Sequence, residues 1–148
     1  MAPPRIHVTV SETAKSPFAV RIEMGSHVLA GDEPVDAGGG GLGPSPFELL
    51  SAALAECTAM TVRWYARQQG WPVEHVAVSV DYGKELLAGA STPRDVFEKT
   101  IAIRGPQLTD EQRKRLLDVA ARCPVQRVLE GSPLIKAKLG TPPDQVTD

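Results

Sequence analysis

The chain has 148 residues, of which 42% are apolar and 23% charged, and this composition is typical of an ordinary globular protein rather than a disordered or collagen-like one. Sixteen basic and eighteen acidic side chains give a net charge of −2, so no basic surface favours nucleic acid as a partner. The apolar stretch Phe47–Met60 contains two glutamates and is shorter than the roughly 20 residues of a membrane span. No apolar stretch follows the first residues, so we expect no secretory signal peptide. We therefore expect a single domain over residues 1–148, in the cytoplasm and away from membranes.

Alternation of apolar and polar residues predicts antiparallel strands near the N-terminus. The pattern covers Ile6–Val10 and Phe18–Ile22, and a shorter segment, His27–Ala30, follows a Gly-Ser turn. A long loop, Gly31–Pro46, comes next. Loops of this length in compact domains are commonly functional or mobile.

The glycines of this loop match a dinucleotide-binding pattern only literally. Gly38, Gly40 and Gly43 have the spacing of that motif, but Pro44 and Pro46 interrupt the passage from the last glycine into the following helix. The motif requires a tight connection from strand to helix. A flexible loop is the better interpretation, and we expect no bound dinucleotide.

A long helix is predicted from Pro46 to about Gln69. Ser45 and Glu48 form a capping box around Pro46 at the first helical position, and Gly70 ends the helix. Apolar residues occupy almost every side of its first four turns, as is typical of a helix buried inside a protein or an oligomer. Because one subunit of this size has too few elements to cover such a helix, we predict a homodimer.

The second half of the chain predicts strands, then helices, then a last strand. These elements are strands Val73–Tyr82 and Val96–Arg104, a helix from Thr109 to Arg122, a short helix from Cys123 to Gly131, and a final strand Pro133–Leu139. A capping box opens the first of these helices, and Cys123 stands at the N-cap of the second because Pro124 suits its first position. The tail, residues 141–148, is expected to be frayed.

Candidate chemistry is concentrated in two cysteines, which a reducing cytoplasm would keep as free thiols. Cys123, at an N-cap, faces unpaired backbone N–H groups that stabilise a thiolate. Cys57 lies in mid-helix, where the N–H groups are already bonded, so it needs a hydrogen-bond donor or an arginine from elsewhere. The histidines His7, His27 and His75 have no metal-ligand spacing, and we expect no metal site.

Two segments around the cysteines are distinctive: SPFELLSAALAECTAM, residues 45–60, and RCPV, residues 122–125. Together they resemble the OsmC/Ohr family of osmotically inducible protein C and organic hydroperoxide resistance proteins. The resemblance covers nearly the whole chain and implies an α+β fold with N-terminal antiparallel strands, a buried central helix, a second strand pair, a second helix and a final strand. It also implies an intertwined homodimer with two active sites at the subunit interface.

The same resemblance implies a thiol-dependent peroxidase for organic hydroperoxides, with Cys57 peroxidatic and Cys123 resolving. Such enzymes use no metal or bound cofactor, and an external dithiol, for which a lipoyl-type compound is one candidate, reduces their disulfide. The alternative is a non-enzymatic or weakly active module on the same fold that binds an apolar ligand or senses redox state.

Around Cys57 the sequence departs from the family pattern and resembles a divergent branch. Active members place a strand arginine and a helix glutamate beside the peroxidatic cysteine. Here Phe47 occupies the position of that glutamate, while Glu48 lies nine residues before Cys57, on the opposite helix face, where capping explains it better. Arg21 is the candidate strand arginine, and Phe47 and Met60 are the candidate walls of an apolar substrate pocket.

Overall fold

The computed structural model describes residues 4–141, and they form an α+β arrangement, as predicted. The elements in chain order are β1 Val8–Glu12, β2 Val20–Met24, β3 His27–Gly31, a short 3-10 helix Val35–Ala37, α1 Pro46–Gln69, β4 His75–Glu85, β5 Arg94–Arg104, α2 Asp110–Ala120 and α3 Pro124–Glu130. Strands β1, β2 and β3 form one antiparallel sheet in that order, and β4 and β5 form a second. No helix in this part of the chain is both long and apolar enough to cross a membrane.

The first two N-terminal strands begin two residues later than their sequence pattern predicts. Met24 pairs with His27 across the turn at Gly25, whose φ of 61° suits glycine. This turn sets the register of β2 and β3, so β2 extends to the residue before Gly25, and β1 follows with Val8 opposite Met24. Turn geometry, rather than alternation alone, therefore decides where these strands lie.

Helix α1 has the predicted ends. Ser45 accepts a hydrogen bond from the backbone N–H of Glu48, the capping box is complete, and Gly70 closes the helix in the left-handed conformation. Its fully buried residues follow a four-residue spacing: Leu54, Thr58, Val62 and Ala66. On another side Met60 and Trp64 remain 61% and 62% exposed. One chain thus covers only part of the apolar surface of the helix.

The core lies where α1 packs against the second sheet and α2. Its buried members are Val62, Ala66, Val73, Leu108, Leu116 and Ala120. Helix α2 ends at Ala120, two residues before the predicted Arg122, and Cys123 caps α3 as predicted. The buried end of α2 therefore carries Cys123 towards the middle of α1.

The predicted final strand Pro133–Leu139 is wrong. Residues 132–141 have no regular structure, and Leu134, Ile135 and Leu139 are 80–100% exposed. A strand needs a neighbouring backbone for its hydrogen bonds, and no described strand pairs with this segment. Of the tail predicted to be frayed, residues 142–148 lie outside the described residues.

The Gly31–Pro46 loop is organised around the buried carboxylate of Asp32. The Ser16 hydroxyl donates to it, as do the backbone N–H groups of Glu33, Gly40 and Leu42. At Gly39 any side chain would meet the carbonyl of Glu33. The glycines thus allow the backbone of the loop to fold closely around the Asp32 carboxylate, which accepts its N–H groups.

We expect Asp32 to add an acid-sensitive part to the stability of the fold. Burial raises its pKa, but the hydrogen bonds from Ser16 and the backbone outweigh burial and hold the pKa below the ordinary 3.8. A lowered native pKa stabilises the fold above pH 3.8, and this contribution is lost as the pH falls through the native value.

Urea unfolding of Asp32→Asn over an acid pH series measures this contribution. The amide turns an NH2 group towards backbone donors, so the variant should be less stable at neutral pH and lose less stability on acidification than the parent. Asp36→Asn, at an exposed position of the same loop, is the matched control. Equal acid slopes in Asp32→Asn and the parent would contradict the assignment.

Candidate functional site

The fold brings Cys57 and Cys123 together as free thiols. They are close enough that each perturbs the pKa of the other. Cys57 projects from the middle of α1, and its sulfur accepts the backbone N–H of Val125, in the first turn of α3, at 3.4 Å. The donor that mid-helix Cys57 lacks on its own helix therefore comes from the Cys-Pro segment.

Cys57 is half-buried and opens onto a cleft of about 700 Å³. The other residues that line it are Ala53, Glu56, Met60, Thr61, Trp64, Arg122, Pro124, Val125 and Arg127. Met60 and Trp64 give it an apolar wall, while Arg122 and Arg127 place positive charge at its edge. A molecule with an alkyl part could reach the Cys57 sulfur here.

Cys123 is completely buried and lies among hydrogen-bond donors. The backbone N–H of Gln126 points to its sulfur at 3.4 Å, and the Thr58 hydroxyl lies at the same distance of 3.4 Å. Behind Thr58, the Lys99 ammonium donates to the Thr58 oxygen at 3.1 Å and to the Ala120 carbonyl at 2.7 Å. The Lys99 ammonium group is thus linked to the buried Cys123 thiol through the Thr58 hydroxyl.

The two thiols differ in acidity. Burial opposes ionisation of Cys123, but hydrogen bonds from Thr58 and Gln126, and the charge of Lys99, hold its pKa below the usual value. Burial raises the pKa of Cys57; the Val125 N–H opposes this rise, and the neighbouring Cys123 adds to it. These contacts favour a negative charge on Cys123 over one on Cys57.

Arg21 and Glu48 do not line the cleft of Cys57 within one chain. Arg21, on β2, pairs with Glu23 at 2.7 Å. The Glu48 carboxylate accepts the Ser45 backbone N–H in the capping box. Glu48 therefore has the helix-capping role that its position indicates.

Phe47 and Met60 line different cavities. Phe47 stacks on Tyr82 with ring centroids 4.7 Å apart, in a groove of about 1000 Å³ that also contains Leu50 and Leu54. Met60 lines the cleft of Cys57. Because side chains three or four positions apart share a helix face, Phe47 belongs to the stripe of Leu50 and Leu54. The single pocket wall expected from Phe47 and Met60 is thus divided between two sides of α1.

Two side chains beside the thiol pair are absent from the sequence-based candidates: Thr58, which contacts Cys123, and Lys99, which contacts Thr58. A signal for each was present. Thr58 directly follows Cys57 on the helix, and Lys99 interrupts a period-two run of Phe97, Ile101 and Ile103 on the face of β5 that packs on the core. A lysine within such a run indicates a buried partner for its ammonium group.

Similarity to known proteins supports the same fold. A family model described as OsmC-like protein matches residues 38–138. No curated protein sequence matches the chain significantly.

Several solved structures share the architecture at low sequence identity. An OsmC-like protein from Mycoplasma pneumoniae is 19% identical with a TM-score of 0.71, the match covering 88% of this chain and 90% of that one. An organic hydroperoxide resistance protein OsmC from Legionella pneumophila is 20% identical with a TM-score of 0.61, covering 88% and 93%. The organic hydroperoxide resistance protein OhrB of Bacillus subtilis is 20% identical with a TM-score of 0.57, covering 86% and 91%. The predicted OsmC-like fold is confirmed.

Proposed function

Because the chain belongs to the OsmC-like protein family, we propose that it reduces organic hydroperoxides with Cys57 as the attacking thiol and Cys123 as the resolving one. The observation that carries the proposal is the asymmetry of the pair. Cys57 opens onto a partly apolar cleft, whereas Cys123 is buried beside it among groups that stabilise negative charge. Two of the three structures described above are named as organic hydroperoxide resistance proteins, which supports this choice of substrate.

The first step oxidises Cys57. When Cys123 is ionised, the two sulfurs share one proton, and its transfer from Cys57 to Cys123 leaves the attacking thiolate in the cleft. That sulfur bonds to the terminal oxygen of the hydroperoxide, the O–O bond breaks, and Cys57 becomes a sulfenic acid. The departing alkoxide takes the proton from the Cys123 thiol and leaves as an alcohol, and Cys123 is again a thiolate.

The second step joins the two cysteines. The Cys123 thiolate attacks the Cys57 sulfur, the S–O bond breaks, and hydroxide leaves as water after taking a proton from solvent. An external dithiol then reduces the disulfide and is itself oxidised. The chain's own residues carry the whole peroxide reaction, so we propose no bound cofactor and no metal.

The cleft favours a hydroperoxide with a bulky alkyl group. Met60 and Trp64 offer apolar surface beside Cys57, where burial of an alkyl chain is favourable. We also place the reaction in the cytoplasm, whose dithiols, including lipoyl-type ones, would return the pair to the reduced state.

We propose that the working protein is a homodimer. Besides Met60 and Trp64 on α1, the first sheet exposes Val8, Val10 and Leu29 on one face. No extensive packing joins this sheet to the helices or to the second sheet within the described chain. A second copy that covers these apolar surfaces would remove them from water.

Thiol titration tests the proposed activity. The reduced protein should lose both thiols of each chain, Cys57 and Cys123, on reaction with one equivalent of cumene hydroperoxide and recover them on addition of a dithiol. Cumyl alcohol, which has the same apolar body but no O–O bond, is the control and should leave both thiols intact. Retention of both thiols with the hydroperoxide would instead indicate a module that binds apolar ligands or senses redox state without turnover.

A further inference from the structure

We propose that Lys99 is a positioning residue that acts through Thr58 on Cys123, making Cys123 the leaving group when the Cys57–Cys123 disulfide is reduced and directing the external thiol to Cys57. The inference rests on the proposed function and adds to it the direction of the reductive half of the cycle.

The geometry of Thr58 links Lys99 to the buried sulfur. The Thr58 hydroxyl has a single hydrogen and two acceptors, the Leu54 carbonyl at 2.8 Å and the Cys123 sulfur at 3.4 Å. Lys99 donates to the oxygen of the same hydroxyl at 3.1 Å, so the hydroxyl hydrogen points away from Lys99, towards one of these acceptors. A negative charge on Cys123 draws that hydrogen to the sulfur.

The position of Lys99 is fixed by a second contact. Its ammonium group also donates to the carbonyl of Ala120 at 2.7 Å, near the end of the helix that precedes Cys123. The lysine therefore ties β5 to α1 and to the C-terminal end of α2 at once. Lys99 is half-buried and lines the groove of Phe47. Its two contacts keep its charge near the completely buried Cys123, where charge is less screened than on the open surface.

Among the described residues, no acidic side chain forms an ion pair with Lys99 or a hydrogen bond with Cys123, although Glu98 and Glu130 line the same groove as Lys99. The elements packed around it contribute Cys57 and Thr58 from α1, Lys99 from β5, the Ala120 carbonyl from α2 and the Gln126 N–H from α3. The nearest carboxylate in this hydrogen-bond network, Glu130, accepts instead from the Gln126 side-chain amide at 2.7 Å. Among these described groups, Lys99 is the cation that favours the Cys123 thiolate.

The reductive step then has a defined direction. The external thiolate bonds to the Cys57 sulfur, the disulfide bond breaks, and its electron pair stays on Cys123, where Thr58 and Gln126 donate to it. The second thiol of the reductant attacks the mixed disulfide, which releases Cys57, and Cys57 takes a proton; the reductant leaves as a disulfide. A leaving thiol of lower pKa leaves faster, and Cys57 is also the sulfur that a reagent in the cleft can reach.

Reduction of a preformed disulfide tests the role of Lys99 without any peroxide. The disulfide is made with diamide, and its reduction by dithiothreitol is followed for the parent, Lys99→Met and Lys99→Arg. We expect the disulfide of Lys99→Met to be reduced at least about fivefold more slowly than that of the parent, because the Cys123 leaving group is less acidic. Lys99→Arg should regain most of the parent rate. An unchanged rate in Lys99→Met would overturn the proposal.

Ionisation of Cys123 gives a readout that a purely structural lysine would not move. In a Cys57→Ser background, thiolate absorbance at 240 nm against pH reports on Cys123 alone, and its midpoint should rise in Lys99→Met. If Lys99→Met fails to fold, Thr58→Val and its control Thr58→Ser carry the same test, since only the valine removes the hydroxyl. A midpoint that stays in place in the folded variant contradicts the proposal. If the parent did not turn over peroxide, but Lys99→Met still showed slower disulfide reduction and a raised Cys123 midpoint, only the proposed function would be contradicted.

Discussion

Replacing Cys57 with serine is expected to reduce peroxide consumption to the uncatalysed background, a loss of at least about 1000-fold. A serine hydroxyl is a far weaker nucleophile than a thiolate at neutral pH, and Cys57 is the sulfur that opens onto the cleft. Stopped-flow measurement with cumene hydroperoxide over a range of enzyme concentrations gives the rate.

Cys123→Ser is the matched variant and should behave differently. Without a resolving thiol, Cys57 can still be oxidised once to sulfenic acid, but no disulfide forms, so excess peroxide oxidises it further to sulfinic acid. Mass spectrometry should show these added oxygens on Cys57 only. A Cys57→Ser variant that consumes peroxide as fast as the parent would refute the roles, and a reversed pattern in the two variants would exchange them.

The ends of α1 and α3 could be predicted from the sequence because their signals are local. The capping box of Ser45 and Glu48, the glycine at 70 and the Cys-Pro pair at 123 act within one turn of the helix they begin or end. Such signals operate in the same way whatever the chain packs against. Hence the position of Cys123 at a helix N-cap followed directly from its neighbours.

The approach of Cys57 to Cys123 could not be obtained in this way. Nothing in their separation along the chain requires contact, and the expectation depended on resemblance to a family. Likewise, Lys99 and Thr58 come together only when β5 packs beside α1, a contact between residues that are 41 positions apart. Interactions of this kind depend on the packing of whole elements, which single-sequence patterns do not specify.

The prediction of a final strand was wrong for a related reason. Pro133–Leu139 has the composition of a strand, but composition supplies no partner, and the described part of one chain offers none. Arg21 is a similar case, since its strand belongs to the sheet that packs little on the rest of the chain. Predictions for these segments depend on neighbouring strands and side chains that single-sequence patterns do not specify.

Leu116→Ala should lower the free energy of unfolding by about 2–5 kcal/mol, as expected for a leucine removed from a packed core. Leu116 is fully buried, among Val62, Ala66 and Ala120. The truncated side chain leaves a cavity between α1 and α2, and the neighbours fill it only in part. Urea unfolding followed by circular dichroism measures the change.

The adjacent residue provides the control, because Leu117 has the same side chain on the same helix but is 50% exposed. We expect Leu117→Ala to cost less than about 1 kcal/mol. The same core also fixes the end of α2, where the Ala120 carbonyl holds Lys99, so Leu116→Ala should slow reduction of the disulfide while Leu117→Ala should not. Equal destabilisation by the two variants would contradict the packing of α2 on α1 that the structure shows. If Leu116→Ala were destabilised but its disulfide were reduced at the parent rate, the core would not be needed to position Lys99.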